Sequence, residues 1–278
     1  MKRYKKLLMI GSTVLMIGTG CSNDNTHNER ENRVQRELNQ KPQKKTELDK
    51  KVEKSFEEHL KIYPVNNLDD FYDMEGFRDE EFDKDDKGTW VLSSKIAKQK
   101  DENAPLISNN IYLFFNKNTN EATGKNVIRK IYKDFNENVE NEYRIIYKNN
   151  KIELIDDAPK EVDQFLKDFK FLVEEKSFGS LKELPKVSSR HNSNLPMYSI
   201  NYLLKQDNEI NKWIQNKYKV MKQDAILNIE NTGQLNDSSL SNFYFEVTYK
   251  GRQGEVQYFR ESVGFQPSKE DNYGDTNR

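Results

Sequence analysis

The sequence predicts an α+β fold in which helices are laid on a mostly antiparallel β-sheet. Three observations predict it. Apolar residues recur at helical spacing in a few short stretches, as in Leu48, Val52, Phe56 and Leu60. Between them lie runs rich in Tyr, Phe, Ile and Val, bounded by Asn- and Gly-containing turns, which is the pattern of paired strands. The order of helix, short helix, then strands also occurs twice, which divides the chain into an N-terminal half, 48–156, and a C-terminal half, 157–267. Identity between the halves is slight, so the shared order of elements only suggests a duplication, and the two halves are expected to share an interface.

In the first half, the stripe Leu48, Val52, Phe56, Leu60 puts one apolar face on a helix that Pro64 stops. Asn67 is placed to cap a short helix over Leu68–Tyr72, with acidic residues in its first turn and Gly76 to end it. Strands are expected at Thr89–Lys95, after the turn Asp85-Asp86-Lys87-Gly88, and at Asn110–Phe115. The turn Asn116–Asn120 returns the chain, so Glu121–Ile131 pairs back. Tyr143, Ile145 and Tyr147 alternate up to Asn149-Asn150, after which Ile152 and Leu154 close a hairpin.

In the second half, Pro159 suits a first helical turn, and Val162, Phe165, Leu166, Phe169 and Val173 form one helical face. A short helical turn falls within Phe178–Leu184. Strands are expected at Met197–Leu204, Ala225–Glu230, Asn242–Tyr249 and Glu255–Phe259, with a helix over Asn208–Tyr218 between the first two. The turn Gly251–Gly254 closes the last hairpin.

The N-terminus carries a different signal. Lys2, Arg3, Lys5 and Lys6 precede an apolar run, Leu7–Ile17, that ends in Gly18-Thr19-Gly20-Cys21. A charged start, a short apolar stretch and small residues at a cleavage point are the three parts of an export signal, here 1–20. The run is shorter than the roughly 20 residues needed to span a bilayer. Cys21, the one cysteine of the chain, directly follows the small residues, where a bacterial lipoprotein carries its lipid. The other readings are a plain cleaved signal with an incidental cysteine, favoured by Gly18 where such signals carry a Leu-like residue, and a buried core cysteine. Residues 21–47 hold Val34 and Leu38 as their only aliphatic side chains and read as a disordered tether, and 268–278 read as a disordered tail.

Removal of 1–20 leaves 41 Lys and Arg against 46 Asp and Glu, a charge of −5. An acidic chain lacks the concentrated basic face of a nucleic-acid binder, so no nucleic-acid partner is expected. Attachment to a membrane then rests on the lipid of Cys21, and stable anchoring takes about two hydrophobic signals, which a diacylglyceryl group supplies. With 15 Phe, 14 Tyr and two Trp, the chain can build a core despite 33% charged residues. One cysteine leaves no intramolecular disulfide to hold it.

Residue chemistry points to no reaction and no cofactor. Asp83–Gly88 resembles the start of a calcium loop, but Lys87 and Ser94 stand where a carboxylate or amide and a bidentate glutamate belong, so a solvated turn is the better reading. His27, His59 and His191 are scattered without metal-ligand spacing and read as surface or satisfied histidines. Ser188-Ser189-Arg190-His191 sets hydroxyls beside a histidine, but triads are spatial, and a loop is expected there. The pairs Asp69/Asp70 and Asp156/Asp157 suit helix starts and turns. Phe243, Tyr244 and Phe245 could stack a ligand, although strand alternation sends one set of them to the core by default.

The stretch from Tyr63 to Asp73, the segment Glu75-Gly76-Phe77-Arg78-Asp79 and the run from Glu81 to Trp90 closely resemble the staphylococcal tandem-type lipoproteins. Phe169-Lys170-Phe171, Asn194–Ser199 and Val263–Ser268 are similar to that family's C-terminal half. The resemblance implies a protein anchored by its lipid on the extracellular face of the cell membrane, a surface antigen sensed by the host through its acylated N-terminus. It also implies host-protein interaction in some members, and no enzyme activity. The reading from a different class is an envelope solute-binding or hydrolase-like lipoprotein, which a deep polar pocket with convergent carboxylates would favour.

Overall fold

Ten strands form a single antiparallel sheet in the computed structural model, which describes residues 33–192, 194, 196–233, 235 and 243–268. The strands are β1 (Thr89–Gln99), β2 (Leu106–Asn116), β3 (Glu121–Ile131), β4 (Val139–Lys148), β5 (Lys151–Leu154), β6 (Lys186–Asn192), β7 (Met197–Leu204), β8 (Ala225–Thr232), β9 (Phe243–Lys250) and β10 (Val256–Gln266). Their order is β5-β4-β3-β2-β1-β10-β9-β8-β7-β6. Every neighbour is also a neighbour in sequence except at one place, where β1 pairs β10 from Thr89↔Gln266 to Gln99↔Val256. Two five-strand meanders thus meet in the middle of the sheet through the first and last strands of the fold.

Local chemistry sets the turns. Asn149 and Asn150 both have positive φ, +53° and +60°, the backbone that a two-residue hairpin with the twist of its strands requires. Gly88, at φ +81°, lies against the Phe265 ring, and a Cβ there would come within 2.2 Å of it; one on Gly76 would come within 2.1 Å. The two glycines therefore make room for a ring that Phe82 stacks upon and Trp90 also meets, with centroids 5.3 and 5.0 Å away.

One sheet face carries the core. Trp90, Leu92, Leu113, Phe115, Phe245, Phe259, Val263 and Phe265 are buried there in one apolar cluster. Helix Glu47–His59 adds Val52 and Phe56, and the Phe56 ring meets Phe243 edge-on at 5.8 Å. Phe71 of the short helix Asp70–Asp73 lies 5.4 Å from Trp90, and Tyr218 of helix Glu209–Tyr218 stacks on Phe259 at 5.4 Å. Asn208 caps that last helix by accepting from the Ile210 amide.

Three expectations need correction. The helix expected to run through Val173 stops at Asp168; Phe169, Phe171, Leu172 and Val173 are all buried, and an extended turn followed by a 3-10 helix at Leu172–Glu174 lets consecutive residues point inward. Ser188–His191 are not a loop but part of β6. Residues 33–47 are not a free tether: 33–38 are helical, Gln43 donates its amide to the Lys186 carbonyl of edge strand β6, and Thr46 caps helix Glu47–His59. The signal 1–20, Cys21 and the tail beyond Ser268 lie outside the described residues.

Candidate functional site: the outer face of the sheet

Strand alternation that fills the core with one set of side chains sends the other set to the opposite face. By register, Ser188, Asn201, Asn228, Glu246, Arg260, Lys95 and Asn110 occupy one rung of that outer face, running across seven strands from β6 to β2. Polar groups here are linked side to side. Asn228 donates to Asn201 Oδ1 at 2.6 Å and to Ser199 Oγ at 2.7 Å. Arg260 donates through Nε and Nη2 to Glu246 Oε2 at 3.0 and 2.8 Å, and its guanidinium lies 4.4 Å from the Tyr244 ring centroid. Burial works against the charge of Arg260, but the nearby Glu246 carboxylate outweighs it and holds the guanidinium firmly charged. Lys95 stands 5.3 Å from the Tyr258 ring. Asn110 donates to the Val127 carbonyl, while its side-chain oxygen is buried without a partner.

The helical residues 33–38 cover one end of this rung. Glu37 accepts from Ser188 Oγ at 2.6 Å and from Asn201 Nδ2 at 2.7 Å, with Arg33 Nε 3.6 Å away. Burial raises the carboxyl of Glu37, against those hydrogen bonds. Val34 joins Val187, Leu203 and Ile226 in a small apolar cluster beside it. From there the chain passes round the β6 edge to the core face, a covering that protects the unpaired backbone of an edge strand. Replacing Glu37 by Ala should loosen this strap: it removes the acceptor of two hydrogen bonds, a loss of about 1–3 kcal/mol. Limited proteolysis between Gln40 and Lys45 should then become several-fold faster.

The residues singled out from sequence fall into structural roles. Phe243 and Phe245 are core, whereas Tyr244 points to the outer face beneath Arg260. His59 is buried against the Phe243 ring at 4.9 Å, and His191 Nε2 lies 3.1 Å from Asp49 Oδ1. Ser188 and His191 project to opposite faces of the sheet, so they form no catalytic group. Asp70 accepts the Asn66 and Asn67 amides, and Asp156 accepts from the Arg144 amide and guanidinium. Asp86, within the calcium-like stretch, takes the amides of Gly88 and Ser268 and the side chain of Asn118. Among the described residues no group of three or more His, Cys, Asp or Glu is placed to hold a metal ion, and no helix is long and apolar enough to cross a membrane. An open depression is lined by Lys205, Asp207, Lys212, Gln215, Lys222 and Asp224, and its Lys205 and Asp224 bond each other at 2.9 Å.

Sequence reasoning missed the polar rung, because outward positions on a strand read one at a time as solvated surface. The signal that finds it is register: Lys95 and Arg260 become neighbours only once β1 is paired with β10.

The geometry defines a sheet protein with one face packed in the main core and a polar rung across the other, and its relatives are bacterial lipoproteins. The model of the Csa1 family matches residues 48–268, and the chain belongs to that family. An uncharacterized lipoprotein of Staphylococcus epidermidis is 34% identical over 98% of this chain and 100% of its own length. Another, of Staphylococcus aureus, is 32% identical over 96% of this chain and 100% of its own length. Among solved structures, a DUF1329 family protein from Desulfovibrio piger overlaps 69% of this chain and 91% of its own at 8% identity, with a TM-score of 0.20, too low to carry an argument.

Proposed function

We propose that this chain is a protein-binding module, anchored through lipid on Cys21 at the extracellular face of the membrane, that meets its partner with the outer face of the sheet. The acylated end is the part host receptors sense, and the reading assigns the domain no catalysis. The observation that supports it most is the rung from Asn201 to Asn110, where Arg, Lys, Asn and Tyr side chains are held in order by hydrogen bonds and ring contacts on a face opposite the core. Tyr and Arg fixed in place are the side chains that dominate protein interfaces.

Two measurements test it. Cys21→Ser should move the protein from the membrane fraction to the medium and abolish the lipid-dependent response of host cells; unchanged fractionation would remove the anchor from the account. Crosslinking pull-down with a soluble form beginning at Ser22 should recover a protein partner, and recovery of a small metabolite alone would favour the solute-binding reading instead.

A further inference from the structure

We infer that the middle of the outer face, around Lys95 and Arg260, takes an acidic side chain from an extended or helical segment of the partner polypeptide. The inference rests on the proposed protein-binding reading and names what that face recognises.

Like charges directly opposite each other on adjacent strands repel. Lys95 and Arg260 are such a pair, on the central strands β1 and β10. One carboxylate of the rung, Glu246, lies beside them and accepts from both Nε and Nη2 of Arg260. Glu230, one rung away, pairs across the strands with Tyr244 and takes its hydroxyl. Lys95 forms no ion pair among the described residues, and its charge rests against the Tyr258 ring. The side chain of Arg260 keeps 31% of its surface exposed, so it is within reach of an incoming group. A carboxylate set between the two cations would relieve their repulsion and form charge-assisted bonds to both.

The molecule already shows that this rung accepts a carboxylate from a polypeptide. At its β6–β7 end Glu37, carried on the helical segment 33–38, inserts its carboxylate between Ser188 and Asn201. The middle of the rung repeats that arrangement with stronger donors. Tyr112, on the adjoining rung, is half-exposed beside Ser93. A half-exposed aromatic ring beside two cations suits a peptide, which brings side-chain contacts along with its carboxylate.

The test uses the mature chain from Cys21 onward and fluorescein-labelled hexaglutamate, with hexaglutamine and hexalysine as matched peptides, followed by fluorescence anisotropy. Hexaglutamate should bind, more weakly as salt rises. Lys95→Glu should weaken it by about tenfold or more, and Lys95→Gln should weaken it less, as expected for loss of a charge-assisted bond. Lys61→Glu, on the far side of the sheet, should leave it unchanged. Unchanged unfolding midpoints for the Lys95 variants would show that the fold is intact. Failure of hexaglutamate to bind, equal binding of hexaglutamine, or full binding by Lys95→Glu would each overturn the inference. If pull-down still recovers a partner in any of those cases, the binding module stands and only its recognition chemistry falls.

Discussion

Asp49→Ala is expected to destabilise the protein by about 3–5 kcal/mol, the cost of leaving a buried cation without its partner. Asp49 is buried in the first turn of helix Glu47–His59. Its carboxylate accepts from Lys186 Nζ at 2.7 Å, from the Thr46 amide at 2.7 Å and from Thr46 Oγ1 at 2.8 Å, and His191 lies 3.1 Å away. Burial alone would raise this carboxyl, but the hydrogen bonds from Lys186, Thr46 and Ser189 outweigh it and hold it well below the usual carboxylate range. A carboxyl lowered in the folded state contributes stability above its unfolded pKa of 3.8, and that stability is lost as pH falls below it. The variant should therefore lose most at neutral pH and little in strong acid. Removing Asp49 strands the buried Lys186 ammonium and takes away the helix capping box together. Urea unfolding reads the loss, and a change below about 1 kcal/mol would show that the pair is not the clasp between helix and β6.

Glu261→Gln should change how stability depends on pH. Glu261 is fully buried on β10 and faces the core, where its two oxygens accept the Leu172 and Val173 amides at 2.8 and 3.0 Å and the Tyr63 hydroxyl bonds to it. Burial pushes its carboxyl from 4.5 up to about 8, against the two amide bonds and the Tyr63 hydroxyl, while nearby Glu174 adds to the rise. A carboxyl raised in the folded state favours folding while protonated, so its contribution is whole below pH 4.5 and is lost as pH rises to about 8. The loss is on the order of 5 kcal/mol. Glutamine cannot ionise, but its NH2 replaces one acceptor and leaves an amide of the 172–173 turn unmatched, at about 1–3 kcal/mol. Unfolding at about pH 5 should find the variant weaker than the wild type, and at about pH 9 the gap should close or reverse. Parallel pH profiles for the two proteins would refute this assignment.

Strands with local partners were legible from the sequence. Glu121–Ile131 and Met197–Leu204 coincide with β3 and β7 because alternating β-formers and flanking turns are enough to mark them. The helix Glu209–Tyr218 follows its Asn208 cap in the same way. What the sequence could not convey was pairing across distance. β6 reads KVSSRHN, with Val187 its one apolar residue, because its partners are Glu37, Asp49 and Asn201 rather than a local apolar layer. Residues 33–47 looked too polar to order, and by themselves they are; Val34 and Glu37 find their sites on β6, β7 and β8, more than 140 residues away. β1 and β10 run on past Lys95 and Phe259 because they pair with each other along their whole length, from Thr89↔Gln266 to Gln99↔Val256, a pairing no local pattern marks.

That outer face is the centre of the account, and site-specific photo-crosslinking from the anchored protein on cells tests it most directly. A benzophenone amino acid replacing Tyr112, on β2 of the outer face, should trap a partner protein in good yield. The same probe replacing Lys61, exposed at the helix side of the sheet, should trap none. Crosslinks from position 61 with none from position 112 would contradict the account and move the working surface to the other side of the molecule.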